Sequence, residues 1–119
     1  MTSTSDTTTA NPSPSFTALQ DQYFYLDKNF NRLFMATTTD AERDALRDDY
    51  VQARDNYWKA RNQRFNDDDP MVEDLQEKVT AAQKQIERSG KKLDDIAGLL
   101  DTITAAVNLG SRLVSLAAV

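Results

Sequence analysis

The apolar positions repeat with a helical period over most of the chain. Phe16, Leu19, Tyr23, Leu26, Phe30 and Leu33 are spaced alternately three and four apart, the stripe of one helix face. That stripe predicts a first helix over 16–36, ended by the threonines at 37–39, which are poor helix formers. Thr39 followed by Glu42 three residues later is a capping box and predicts a second helix over 40–66. This helix has two apolar stripes. One runs through Leu46, Tyr50, Ala53, Tyr57 and Ala60, the other through Val51, Trp58 and Phe65. Two adjacent stripes predict two neighbours, and therefore a place between the first and third helices with Trp58 buried.

Asn66-Asp67-Asp68-Asp69-Pro70 marks the next boundary, with Asp as N-cap and Pro at the first helical position. Beyond it the apolar pattern is at its most regular. Val72, Val79, Ile86, Leu93, Leu100, Val107 and Val114 form one row, and Leu75, Ala82, Ser89, Ile96, Ile103, Gly110 and Ala117 the second. The spacing alternates three and four without a slip, the pattern of a coiled-coil seam. Ser89-Gly90-Lys91-Lys92 has the marks of a helix C-terminus. The phase nevertheless passes through it unchanged, which predicts one continuous helix over 70–118. The fold expected is all-α: a three-helix antiparallel arrangement with a long C-terminal heptad-repeat helix.

Nine of residues 1–15 are Ser or Thr, and two are Pro. A segment with so little to bury cannot offset its ordering entropy and is expected to be a disordered tail. It lacks the basic and apolar regions of a Sec signal, so the expected location is the cytoplasm or a site reached by a non-Sec export route.

The 119 residues make one domain-sized chain with 14 basic and 19 acidic residues, a net charge of -5. There is no His and no Cys. A Ser-His-Asp or Cys-His nucleophile cannot be assembled, nor can the usual zinc, haem or iron–sulfur site. No Gly-rich phosphate loop is present, so no catalytic residue, metal ligand or cofactor is assigned. The acids at 67–69, 73 and 74 fail the EF-hand pattern and are explained as a turn with N-terminal charge bias. The basic residues at 54–64 and 84–92 are interleaved with acids, which argues against nucleic acid as a partner.

Charge is also unevenly placed. Of 33 charged residues only Asp101 and Arg112 lie in 96–119, whereas all ten aromatic residues lie between 16 and 65. A continuous helix from 70 would be ~75 Å long, and the second helix, ~39 Å, would cover it only to about residue 95. These lengths divide the chain into a tail at 1–15, a helical bundle at 16–95 and an aliphatic segment at 96–119. The last is expected to be uncovered and thus an interaction surface. Leu93, Ile96, Leu100, Ile103, Val107, Gly110, Leu113, Val114 and Ala117 are its candidate residues. The function expected is non-enzymatic self-assembly or binding of a helical protein partner. The alternative is membrane association through the same segment, although Arg112 interrupts the apolar window over 102–119.

A polar start, the Asn66–Pro70 turn and the aliphatic Leu99–Val119 segment resemble in plan the exported helical hairpins of type III needle subunits. The helix at 16–36 is additional to that plan. Trp58 is not in a Trp-X-Gly turn, so WXG-type hairpins are a poorer match. No functional residue is implied by either likeness.

Overall fold

The structure, a computed structural model, describes residues 13–117. It is all-helical, with four helices where the apolar periodicity predicts three: α1 Pro14–Ala36, α2 Asp40–Arg61, α3 Pro70–Ser89 and α4 Ile96–Ser115. Among the described residues there is no β-strand.

Each start has a local cause. Ser13 caps α1 by accepting the Phe16 N–H at 3.2 Å, and Pro14 occupies the first turn. Ser13 to Ser15 therefore belong to the fold, although their composition assigns them to the tail. Asp67 holds them there. It accepts the Ser13 hydroxyl at 2.6 Å, the Ser15 hydroxyl at 2.5 Å and the Ser15 N–H at 3.1 Å. The rest of the expected tail, 1–12, lies outside the described residues.

Thr39 caps α2 by accepting the Glu42 N–H at 3.1 Å. Glu42 in return accepts the N–H of Thr38 at 2.7 Å, one residue earlier than a standard box. Asp69 caps α3 through the N–H groups of Met71 and Val72.

The decisive departure lies at 90–95. The long helix expected over 70–118 ends at Ser89, turns, and restarts at Ile96. Gly90 closes α3, its N–H on Ile86 O at 2.7 Å, and Arg32 from α1 donates to Gly90 O at 2.7 Å. Leu93 has φ 56°, the left-handed region, and is the one non-glycine residue there among those described. Asp95 then caps α4 by accepting the Gly98 N–H at 2.9 Å.

The bundle is two helical hairpins, α1/α2 and α3/α4, laid side by side. α1 packs on α2 and α3; α4 packs on α3 and α2 and also meets α1 across a diagonal. α2 thus lies between α1 and α4, not between the first and third helices. Its polar links to α4 keep a constant offset: Asp49 meets Thr104 and Asn56 meets Ser111, both 55 residues apart. A constant offset means that α2 and α4 run parallel.

α4 contributes to both halves of the core. Leu99, Leu100, Ile103, Ala106 and Val107 pack with Leu26, Leu33, Leu46 and Ile86. Leu113 and Val114 pack with Leu19, Val72, Leu75 and Val79. Each Leu, Ile or Val side chain among these contributes ~1.5–3 kcal/mol on burial. The segment expected to be uncovered is therefore integral to the bundle, because the turn at 90–95 folds it into the groove between the other helices.

The aromatic half is as expected except at one ring. Tyr23 packs on Tyr50 and Tyr57 at centroid distances of 5.8 and 5.2 Å, and Phe30 on Tyr50 at 5.2 Å. Trp58, expected to be buried, is 49% exposed. Val51 of the same stripe is also exposed, and only Phe65, beyond the end of α2, is partly buried, against the core cluster of Leu19, Ala60, Val72 and Leu75.

Candidate functional site

The candidate surface residues do share one face of the C-terminal hairpin, but that face looks inward. Leu100, Ile103, Val107, Gly110, Leu113 and Val114 are buried. Ile96 and Leu93 are partly buried against the upper core, and Ala117 is partly buried beyond the helix end. The reason is geometric. Apolar periodicity records which face of a helix avoids water, and it is silent on whether the cover comes from the same chain or another.

A polar layer that the apolar pattern does not announce fastens α4 to its neighbours. The Thr104 hydroxyl donates to Asp49 Oδ2 at 2.6 Å. Asn56 Nδ2 donates to Ser111 Oγ at 3.1 Å, and Asn56 Oδ1 accepts from Gln52 at 3.0 Å. Across the diagonal, Gln22 Nε2 donates to the Ala106 carbonyl at 2.9 Å. Gln22, Asp49 and Asn56 are all buried. The detectable signal is a seven-residue spacing on both partners, Asp49 with Asn56 and Thr104 with Ser111.

Asp49 is the most perturbed acid of this layer. Burial pushes its carboxyl up to about 6; the Thr104 hydrogen bond opposes that shift, and the neighbouring charge of Asp48 adds to it. At neutral pH the group is ionised at a cost, so the layer holds α4 less firmly there than in mild acid.

Gly110 sets how closely α4 approaches α1. A Cβ at that position would stand 2.9 Å from Gln22 Oε1 and 3.1 Å from Leu19 Cδ2. The turn has its own close contact. A Cβ on Gly90 would run into the Tyr25 hydroxyl, a buried group without a hydrogen-bond partner.

The acids near the α2–α3 turn act as hydrogen-bond acceptors for helix starts, Asp67 for α1 and Asp69 for α3. Among the described residues no cluster of three or more carboxylates could hold a metal ion. Nor is any described helix long and apolar enough to cross a membrane. No protein-family model matches the chain, and comparison with the curated proteins and the solved structures gives no match.

Proposed function

We propose that this is a non-enzymatic helical protein that acts by self-association through the apolar face of α4. One observation carries the reading. The three-four spacing keeps its phase from Val72 to Ala117, apolar at every position but Ser89 and Gly110, through six residues that form a turn between α3 and α4. A hairpin needs an apolar face on each arm, but it does not need the two faces in phase across the turn. A shared phase is needed when both arms form one seam. The partner that fits such a seam without redesign is a second copy of the chain, because the bundle already contains the complementary surface.

Analytical ultracentrifugation from micromolar to millimolar chain concentration tests this reading. Samples are refolded from urea at each concentration to let α4 dissociate. The comparison is an Asn56→Cys, Ser111→Cys chain whose α4 has been joined to its own α2 by a short thiol cross-linker in dilute solution. The native chain is expected to show concentration-dependent dimers and the cross-linked monomer none. Equal association by both, or no association by the native chain, would overturn the proposal.

A further inference from the structure

We infer that two copies associate by reciprocal exchange of α4, with residues 90–95 as the hinge and Leu93 at the crossing point. This deepens the self-association reading and rests on it.

The turn is poorly suited to its conformation. Leu93 adopts φ 56°, a region that side chains with a Cβ occupy at a cost and where glycine is the usual choice. The glycine of the segment is instead at position 90, where φ is -73°, a right-handed helical value. Gly90 could therefore continue α3 into a longer helix with no change in its own backbone region. Strained, short hinges favour exchange of the element beyond them.

Straightening the turn makes one helix of 70–115, ~69 Å long. Its apolar rows stay in register, because Leu93 in the turn and Ile96 at the start of α4 occupy the positions the seam requires. In a two-fold dimer each α4 then lies on the α1, α2 and α3 of the other copy and repeats the contacts of the closed bundle. The closed and exchanged forms differ mainly at the hinge.

The hinge charges suit such a crossing. Lys91-Lys92-Leu93-Asp94-Asp95 is antisymmetric about Leu93. Two antiparallel copies crossing at Leu93 bring the lysine pair of each beside the aspartate pair of the other. In the bundle all four charged residues are exposed, and none takes part in an ion pair among the described residues. The closed form has its own holds, the Arg32 bond to Gly90 O and the Asp95 cap. The equilibrium is the balance between these holds and the strain of the turn.

The test uses the full chain carrying Asn56→Cys and Ser111→Cys, refolded from urea at high concentration. The dimer is isolated and then cross-linked. Exchange predicts covalent dimers on a denaturing gel, because each α2 faces the α4 of the other copy. Cross-links confined within single chains of an isolated dimer would overturn exchange and leave self-association standing only through a surface other than the buried face of α4. Absence of any dimer would overturn both.

Three hinge variants give a second readout in the otherwise native chain. Leu93→Gly removes the strain of the closed turn and weakens the long helix, so dimerisation should fall by ~tenfold or more. Gly90→Ala crowds Tyr25 in the closed form and favours the long helix, so dimerisation should rise by a similar factor of ~tenfold. Arg32→Ala should shift it in the same direction as Gly90→Ala by removing a closed-state bond. Leu93→Gly and Gly90→Ala changing the dimer fraction in the same direction, or neither changing it, would overturn the hinge assignment.

Discussion

Thr104 donates its hydroxyl to the Asp49 carboxylate at 2.6 Å, and the burial of that carboxylate, which this bond only partly offsets, ties the stability of the bundle to pH. The carboxyl titrates at about 6 in the folded chain, against about 4 for an unperturbed Asp in the unfolded chain. Between those values the folded chain holds a proton that the unfolded chain has released, so this group lowers stability as pH rises through the window. Above it the cost stays constant. Asp49→Asn keeps an acceptor for Thr104 and has no charge to bury. After a discount for solvent screening it should stabilise the chain by about 1–2 kcal/mol at pH 8 and by little near pH 4. Urea unfolding of both chains across that range measures the difference. A native-like pH slope in the variant would remove Asp49 as its source.

Tyr57 and Trp58 are neighbours in sequence with opposite duties. The Tyr57 ring is buried and touches Phe16, Tyr23, Phe24 and Trp58 at centroid distances of 5.2–5.9 Å. Trp58 is half exposed and carries the Arg61 guanidinium 5.0 Å from its ring centroid. Tyr57→Ala should cost about 3 kcal/mol or more, and Trp58→Ala about 1 kcal/mol or less. Denaturant midpoints check the pair. Tryptophan emission of the folded native chain should be that of a ring partly in water and open to iodide quenching.

Asp67 acts at a distance in sequence. It joins the α2–α3 turn to the first turn of α1 by three hydrogen bonds, and its charge lies at the positive end of the α1 dipole. Asp67→Ala should cost about 2–3 kcal/mol, since the fully buried Ser15 loses its partner. The same change should speed amide hydrogen exchange in the first turn of α1 more than in α3. Uniform acceleration would mean that the contact acts only through global stability.

Much of this fold is legible in the residues, and the exceptions have physical reasons. The starts of α2 and α3 are encoded within a few residues, by Thr39 with Glu42 and by Asp69 with Pro70. Such caps are local chemistry and can be read without the fold. The turn at 90–95 is written in the same kind of signal, Gly90 followed by Asp95 as a cap, but the continuing apolar phase points the other way. Only tertiary contacts decide between them, notably Arg32 on Gly90 O, from a helix nearly sixty residues earlier. Trp58 illustrates a second limit. A second apolar stripe implies a second neighbour only if a helix is available, and here α4 takes the side of Ala53, Asn56 and Ala60. Asp49 and Asn56 look like ordinary surface polar residues until Thr104 and Ser111 are placed opposite them.

Gly110 and Gln22 make a final test of how α4 is seated. Gln22 is 1% exposed; its amide nitrogen donates to Ala106 O, and its Oε1 is buried without a partner beside Gly110. The absence of a side chain at Gly110 is what admits this amide between α1 and α4. Gly110→Ala therefore gains helix propensity of about 1 kcal/mol but forces a methyl against Gln22 Oε1 and Leu19 Cδ2. Overpacking of this kind costs about 1–3 kcal/mol, so the net effect should be neutral to destabilising by about 2 kcal/mol. Gln22→Ala removes the obstructing amide and leaves a space that the new methyl partly fills. In the double variant Gly110→Ala should then be stabilising, with a coupling of at least about 1 kcal/mol between the two sites. Urea unfolding of the four chains of the cycle measures it. Additive effects would show that Gly110 does not set the approach of α4 to α1 through Gln22, and would shift that role to Leu19.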